Sequence, residues 1–204
     1  MAYTIEEEQE LSAIKAWWQE NYKFIIVCFV IAFGGVFGWN YWQSYQLQKI
    51  HNASAEYEQV LFNYAKDPKA QEELFSQFIK NNEKTGYAVL ALLDKAKIAV
   101  ENQDFAQAED ALKQAVAQST DDVLSSVSAL RLAAVQFQLG QFDPALESLK
   151  LVKDQAWNGA KNMLVGDIQL AKGDKDAAKS AYQQAEQNAT PLEQQLIQVR
   201  LNNL

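Results

Sequence analysis

Cysteine and histidine each occur once in this chain, proline three times and glycine eight times, all within 204 residues. Zinc binding needs three or four nitrogen or sulfur ligands, and Cys28 and His51 are the whole supply. A Cys-His nucleophilic pair would have to join these same two residues, yet Cys28 lies inside an apolar run. No metal and no cofactor is therefore expected. Little proline and glycine leaves little turn material for an all-β fold, and with 49% hydrophobic positions the chain reads as all-α. Cations are also scarce, 18 against 26 carboxylates, for a net charge of −8. That balance excludes nucleic acid as a partner, because there is no basic surplus to displace counterions from phosphate. Neither a glycine-rich phosphate cradle nor a Ser-His-Asp arrangement is present. The adjacent carboxylates Glu6 to Glu8, Glu109-Asp110 and Asp121-Asp122 read as solvated helix surface rather than acid/base pairs, so no enzymatic activity is expected.

What the chain does have is concentrated apolarity. From Phe24 to Gln48 there are 25 residues without a charge. The span Phe24 to Trp42 would be about 28 Å long as an α-helix, close to the thickness of a bilayer's hydrocarbon. Its phenylalanine, isoleucine and valine residues favour insertion by about 3 to 6 kcal/mol in all. A buried core helix would rarely be apolar on every face in a chain of this size. A cleaved signal peptide fits poorly, since Glu6, Glu7, Glu8, Glu10 and Glu20 precede the run where a basic region should be. Aromatic residues crowd both ends: Trp17, Trp18 and Tyr22 before it, then Trp39, Tyr41, Trp42 and Tyr45. Such rings settle at the level of lipid headgroups. The expected organisation is a cytoplasmic tail over 1–23, a transmembrane anchor over 24–45 and a periplasmic domain over 46–204. Lys15 and Lys23, set against Lys49 alone, orient the N-terminus toward the cytoplasm. Within the span, Gly34 and Gly38 form a G-x-x-x-G pair that would let a second helix approach. In the tail, Leu11, Ile14, Trp17 and Trp18 recur at the spacing of a short interfacial helix.

The remaining domain carries one pattern three times, over Asn102 to Val116, Leu139 to Val152 and Lys172 to Ala185. Aligned on Ala108, Ala145 and Ala178, the copies are offset by 37 and 33 residues. Twelve residues earlier stand Ala96, Ala133 and Gly166; four later stand Leu112, Leu149 and Tyr182; seven later stand Ala115, Val152 and Ala185. Small residues on one helix thus face large ones on an antiparallel partner, the spacing by which helix pairs interlock. Asp104, Asp143 and Asp174 are the expected N-caps of the second helices, with Pro144 in the first turn of the middle one. Thr190-Pro191 starts a last helix that would cover the end of the stack. Ahead of the repeats, Leu47 to Ala65 and Lys69 to Asn81 read as a degenerate hairpin broken at Asp67-Pro68.

This pattern resembles the tetratricopeptide repeat. Gly140 and Gly173-Asp174 stand at the tight corner of that motif, Gln103-Asp104 replaces it in the first copy, and Phe105 and Phe142 take its aromatic position, from which Lys175 departs. More specific strings are AIKAWWQENYK before the apolar run, GWNYWQSYQ at its exit, LRLAAVQFQLGQFDPAL, LAKGDKDAAKSAY and RLNNL. Together they resemble the bacterial YfgM-like ancillary subunits of the SecYEG translocon along nearly the whole chain. The resemblance implies a single-pass inner-membrane protein with a periplasmic tetratricopeptide-like domain. It also implies association with SecYEG and with the membrane-anchored chaperone PpiD, and a link to envelope-stress regulation.

In stacked hairpins the first helices line a concave groove. The register places Leu90, Leu93 and Lys97, then Val127, Leu130, Ala134 and Phe137, then Met163, Asp167 and Leu170 at groove positions. Periodicity alone does not separate groove from core. Three functions follow: a scaffold that holds a chaperone near emerging secretory chains, a holdase whose own groove binds unfolded clients, or a regulator acting through the tail. Membrane lipid is a partner in each. Cys28 reads as an apolar helix residue and His51 as a solvated polar one.

Overall fold

The computed structural model describes residues 5–187 and 189–204, with side chains from Leu11 onward, Ala13 apart. Among the described residues there are nine α-helices, one short 3-10 turn and no strand. Helix α1, Ile5–Lys66, runs unbroken through the apolar stretch, which has no proline to interrupt it. It is long and apolar enough to cross a membrane, and no residue of its apolar window is buried. Contacts divide the chain between Lys49 and Ile50, leaving the last turns of α1 in the second unit. Along the apolar stretch Phe29, Phe33 and Phe37 stack ring on ring at 6.0 and 6.4 Å, the i, i+4 spacing of one helix face.

The second unit, Ile50–Leu204, is a run of helical hairpins. Asp67 interrupts the helix: its carboxylate accepts from the Ala70 amide at 3.1 Å, and Pro68 opens α2, Pro68–Asn81, where its missing N–H costs nothing. The two arms close on Tyr64, whose ring meets Phe75 at 4.6 Å and whose hydroxyl donates to Glu72. Burial, then the Glu72 hydrogen bond, push the Tyr64 phenol well above its usual range.

Three two-helix repeats follow: α3 (Gly86–Glu101) with α4 (Phe105–Gln118), α5 (Asp122–Gln138) with α6 (Phe142–Lys150), and α7 (Asn158–Ala171) with α8 (Lys175–Glu186). Each corner is built the same way. Gln103, Gly140 and Gly173 take φ of 61°, 73° and 87°, and the next amide closes back onto the carbonyl of Ala99, Gln136 or Gln169 at 2.8 to 2.9 Å. Asp104 and Asp174 then cap α4 and α8. Asp143 does not play that part. The closure puts Gln141 at the cap of α6 with no capping side chain, and Asp143 lies one residue inside the helix. There its charge suits the helix dipole and pairs with Lys172 of the next repeat. The side chain of Gln141 turns instead toward Glu109, at 3.3 Å.

The small and large residues of the repeat spacing lie inside the stack. Ala108, Ala145 and Ala178 have no exposed surface, and Leu112, Leu149 and Tyr182 are buried beside them, each of the two leucines contributing about 2 kcal/mol of hydrophobic stabilisation. Ala96, Ala133, Gly166, Ala115, Val152 and Ala185 are buried as well. Gly166 is the tightest position: a Cβ there would stand inside the van der Waals envelope of the Tyr182 ring. First helices touch in series, α3 with α5 and α5 with α7, and Val116 of α4 packs against both the first and the second core cluster. The stack ends in α9, Pro191–Asn202, which opens with a reciprocal Thr190–Glu193 capping box. Lys175, at the corner position held elsewhere by phenylalanine, reaches the Leu204 carbonyl oxygen at 2.6 Å.

Candidate functional site

A groove of about 740 Å³ opens between α3 and α5, over α4. Leu93, Ala96, Leu112 and Val135 form its buried floor, while Val100 and Phe105 stand at its sides. Lys97 and Glu101 rise from α3, Arg131, Ala134 and Gln138 from α5. Helical spacing explains the grouping. Residues 93, 97, 100 and 101 share one face of α3, as 131, 134, 135 and 138 share one face of α5. Lys97 approaches Glu101 at 3.9 Å on the exposed surface, a contact worth little. Arg131 has no charged partner among the described residues.

Of the residues placed in a groove by repeat register, Leu93, Lys97 and Ala134 come together here. Leu90 lies exposed on α3, whereas Val127 packs against the first core cluster. Leu130 and Phe137 pack into the second, with the Phe137 ring 6.0 Å from that of Phe142. Met163 belongs to the third cluster, under α9. Asp167 is occupied from within: Arg200 of α9 grips it through Nε and Nη2 at 2.7 and 3.2 Å, and the Tyr182 hydroxyl donates to it at 2.8 Å. Burial, reinforced by that bond, holds the Tyr182 phenol well above its usual range, and the Asp167 carboxylate raises the Arg200 guanidinium in turn. Leu170, near the end of α7, is exposed. Arg131, Val100 and Phe105 were missing from the sequence expectation of the groove, although the i, i+3 relation of Val100 to Lys97 and of Arg131 to Ala134 was available.

A buried polar network ties the first repeat to the second. Glu109 of α4 accepts from Gln136 of α5 at 3.1 Å and from Lys113 at 2.9 Å, and Gln136 accepts from Ser148 of α6 at 2.7 Å. Burial alone would raise the Glu109 carboxyl, but the bonds from Lys113 and Gln136 outweigh it and hold the group below its ordinary range. Glu109 is thus a structural anion. Its neighbour Asp110 is exposed, Asp121 caps α5 and Asp122 lies in the first turn of that helix. The side chains of Glu6, Glu7 and Glu8 lie outside the described residues.

In the apolar stretch Gly34, Gly35 and Gly38 face open space. Trp17, Trp18, Tyr22, Trp39, Tyr41 and Trp42 are all exposed, with the Trp39 and Trp42 rings 5.5 Å apart. Cys28 is a free, exposed thiol on the same helix, and His51 is exposed.

Hairpins closed by one repeated corner, interlocked through small and large residues and capped by a final helix, define a tetratricopeptide-like protein carrying one apolar helix. The family of tetratricopeptide repeat-like domains matches residues 15–204. Along the whole chain the sequence is 84% identical to an ancillary SecYEG translocon subunit from Aggregatibacter actinomycetemcomitans, with both chains covered in full. It is 53% identical to the protein of that name from Haemophilus influenzae, again over both full chains. The Escherichia coli K12 protein of the same name is 32% identical, over 97% of this chain and 96% of its own. The chain belongs to this family of ancillary SecYEG translocon subunits. No solved structure matches it.

Proposed function

We propose that the protein is an inner-membrane scaffold of the SecYEG translocon, holding its repeat domain on the periplasmic side, where it recruits a PpiD-type chaperone to emerging secretory chains. The observation that carries this reading is full-length similarity to proteins named as ancillary subunits of that translocon, which spans the apolar helix and the repeats alike. The physical logic is effective concentration: partners tethered to one bilayer meet often enough for weak contacts to suffice. In this reading α1 fixes the domain beside the channel through lipid, its aromatic residues setting the depth, and the Gly34/Gly38 face offers a site of close helix contact. The concave groove and the repeat edges are then the recruiting surface, and no chemical step is involved.

Affinity capture from detergent-solubilised membranes tests the reading. The intact chain should bring down both translocon and chaperone. Replacing Phe24 to Trp42 with an unrelated spanning helix should weaken translocon capture while leaving the chaperone contact. Failure of the intact chain to capture the translocon would overturn the proposal.

A further inference from the structure

Residues 50–204 contain 15 cations and 21 carboxylates, yet the groove between α3 and α5 reverses this balance, with Lys97 and Arg131 against Glu101 alone. The chain's two arginines make an instructive pair. Arg200 meets Asp167 with two parallel N–H···O bonds, the geometry in which a guanidinium and a carboxylate fit best. Arg131 stands at the rim of an apolar floor and meets no carboxylate among the described residues. A groove of about 740 Å³ accommodates several side chains, and its buried floor of Leu93, Leu112 and Val135 is suited to apolar ones.

We propose that this groove docks a passing segment of a partner protein in which an acidic side chain is flanked by apolar residues, the carboxylate meeting Arg131 and the apolar neighbours covering the floor. The cations rise from the two walls, which favours a segment that runs between them. This deepens the scaffold reading and rests on it.

The test is fluorescence anisotropy with the full chain in mild detergent and a labelled peptide, Gly-Leu-Phe-Glu-Leu-Ala-Gly, alongside counterparts carrying Gln or Lys in place of Glu. The Glu peptide should bind about fivefold more tightly than the Gln peptide, and the Lys peptide most weakly. Arg131→Gln should reduce the Glu-over-Gln preference to less than about twofold while leaving the Gln peptide's affinity unchanged; Arg131→Lys should keep part of the preference, since it retains the charge and loses the fork. Absence of binding, equal binding of the Glu and Gln peptides, or a preference that survives Arg131→Gln overturns the proposal. So does sedimentation showing that Arg131→Gln acts by abolishing self-association, which would make a second copy the occupant. Translocon capture by the natural chain, set beside its own discrimination between the peptides, separates the two levels. If capture persists while the peptides fail to discriminate, the carboxylate site falls and the scaffold stands; if the peptides discriminate and capture is lost for the intact chain, the scaffold falls alone.

Discussion

Lys97, Ala134 and Asp167 hold one register position in three successive repeats, and the structure uses that position in two ways. Between the first two repeats it borders an open groove. In the third it is an internal anchor, because α9 packs where a fourth repeat would begin and brings Arg200 onto Asp167. The comparison teaches that a repeat position carries a direction in space, while its use depends on what the following helix supplies. Where the next helix brings a complementary charge, the position becomes part of the fold; where it brings Ala134, the surface stays free.

The strongest way to break the comparison is to disturb the closed end. Gly166→Ala pushes a methyl into the Tyr182 ring and Ala178→Phe overfills the same hairpin, so each should cost about 1 to 3 kcal/mol. Hydrogen exchange on the full chain in detergent should show lost protection concentrated in α7, α8 and α9, since each repeat contacts only its neighbours. Normal protection in both variants would contradict the register.

A smaller effect is expected from the clamp itself. Asp167→Ala leaves Arg200 and the buried Tyr182 hydroxyl without their acceptor and should cost about 1 to 2 kcal/mol, reduced by the partial exposure of the ion pair. Lys97→Ala at the matching position of the open groove should cost under about 0.5 kcal/mol. Urea unfolding of the two variants measures the difference, and equal costs would erase the distinction between the two uses.

The corners offer a change of opposite sign. Gln103 holds a left-handed conformation that Gly140 and Gly173 adopt without a Cβ, so Gln103→Gly should stabilise the first repeat by about 0.5 to 1 kcal/mol in thermal unfolding. The same logic predicts loss of stability for Gly140→Ala.

The smallest effect is electrostatic. The folded-state pKa of Glu109 is depressed, so its contribution is complete above the unfolded value near 4.5 and is lost as the pH falls through the lower folded value. The stability gap between the natural chain and Glu109→Gln should therefore be widest near neutrality and close in acid. A gap that widens in acid would reverse the assignment.

How much of this was legible beforehand varies with the kind of contact. The helical class, the apolar helix and the three hairpins were visible because hydrophobic runs and small-large-small spacing repeat along the chain. The cap assigned to Asp143 was misplaced by two residues, because an aspartate beside the first turn serves a helix start from more than one position and only the corner closure through Gln141 selects among them. The buried network of Glu109, Gln136 and Ser148 was not legible either, since these are polar residues of ordinary surface type spread over three helices.

The sequence by itself therefore determined where the helices lie, which segment is apolar enough to enter a membrane, and which residues of the repeats are buried, because those depend on local propensity and periodic burial. Only the tertiary structure decided which groove positions stay open, that Arg200 reaches Asp167 from 33 residues away, and that Arg131 meets no carboxylate among the described residues. Pairings of that kind depend on the distance between helices brought together by folding, and no spacing along one helix encodes them.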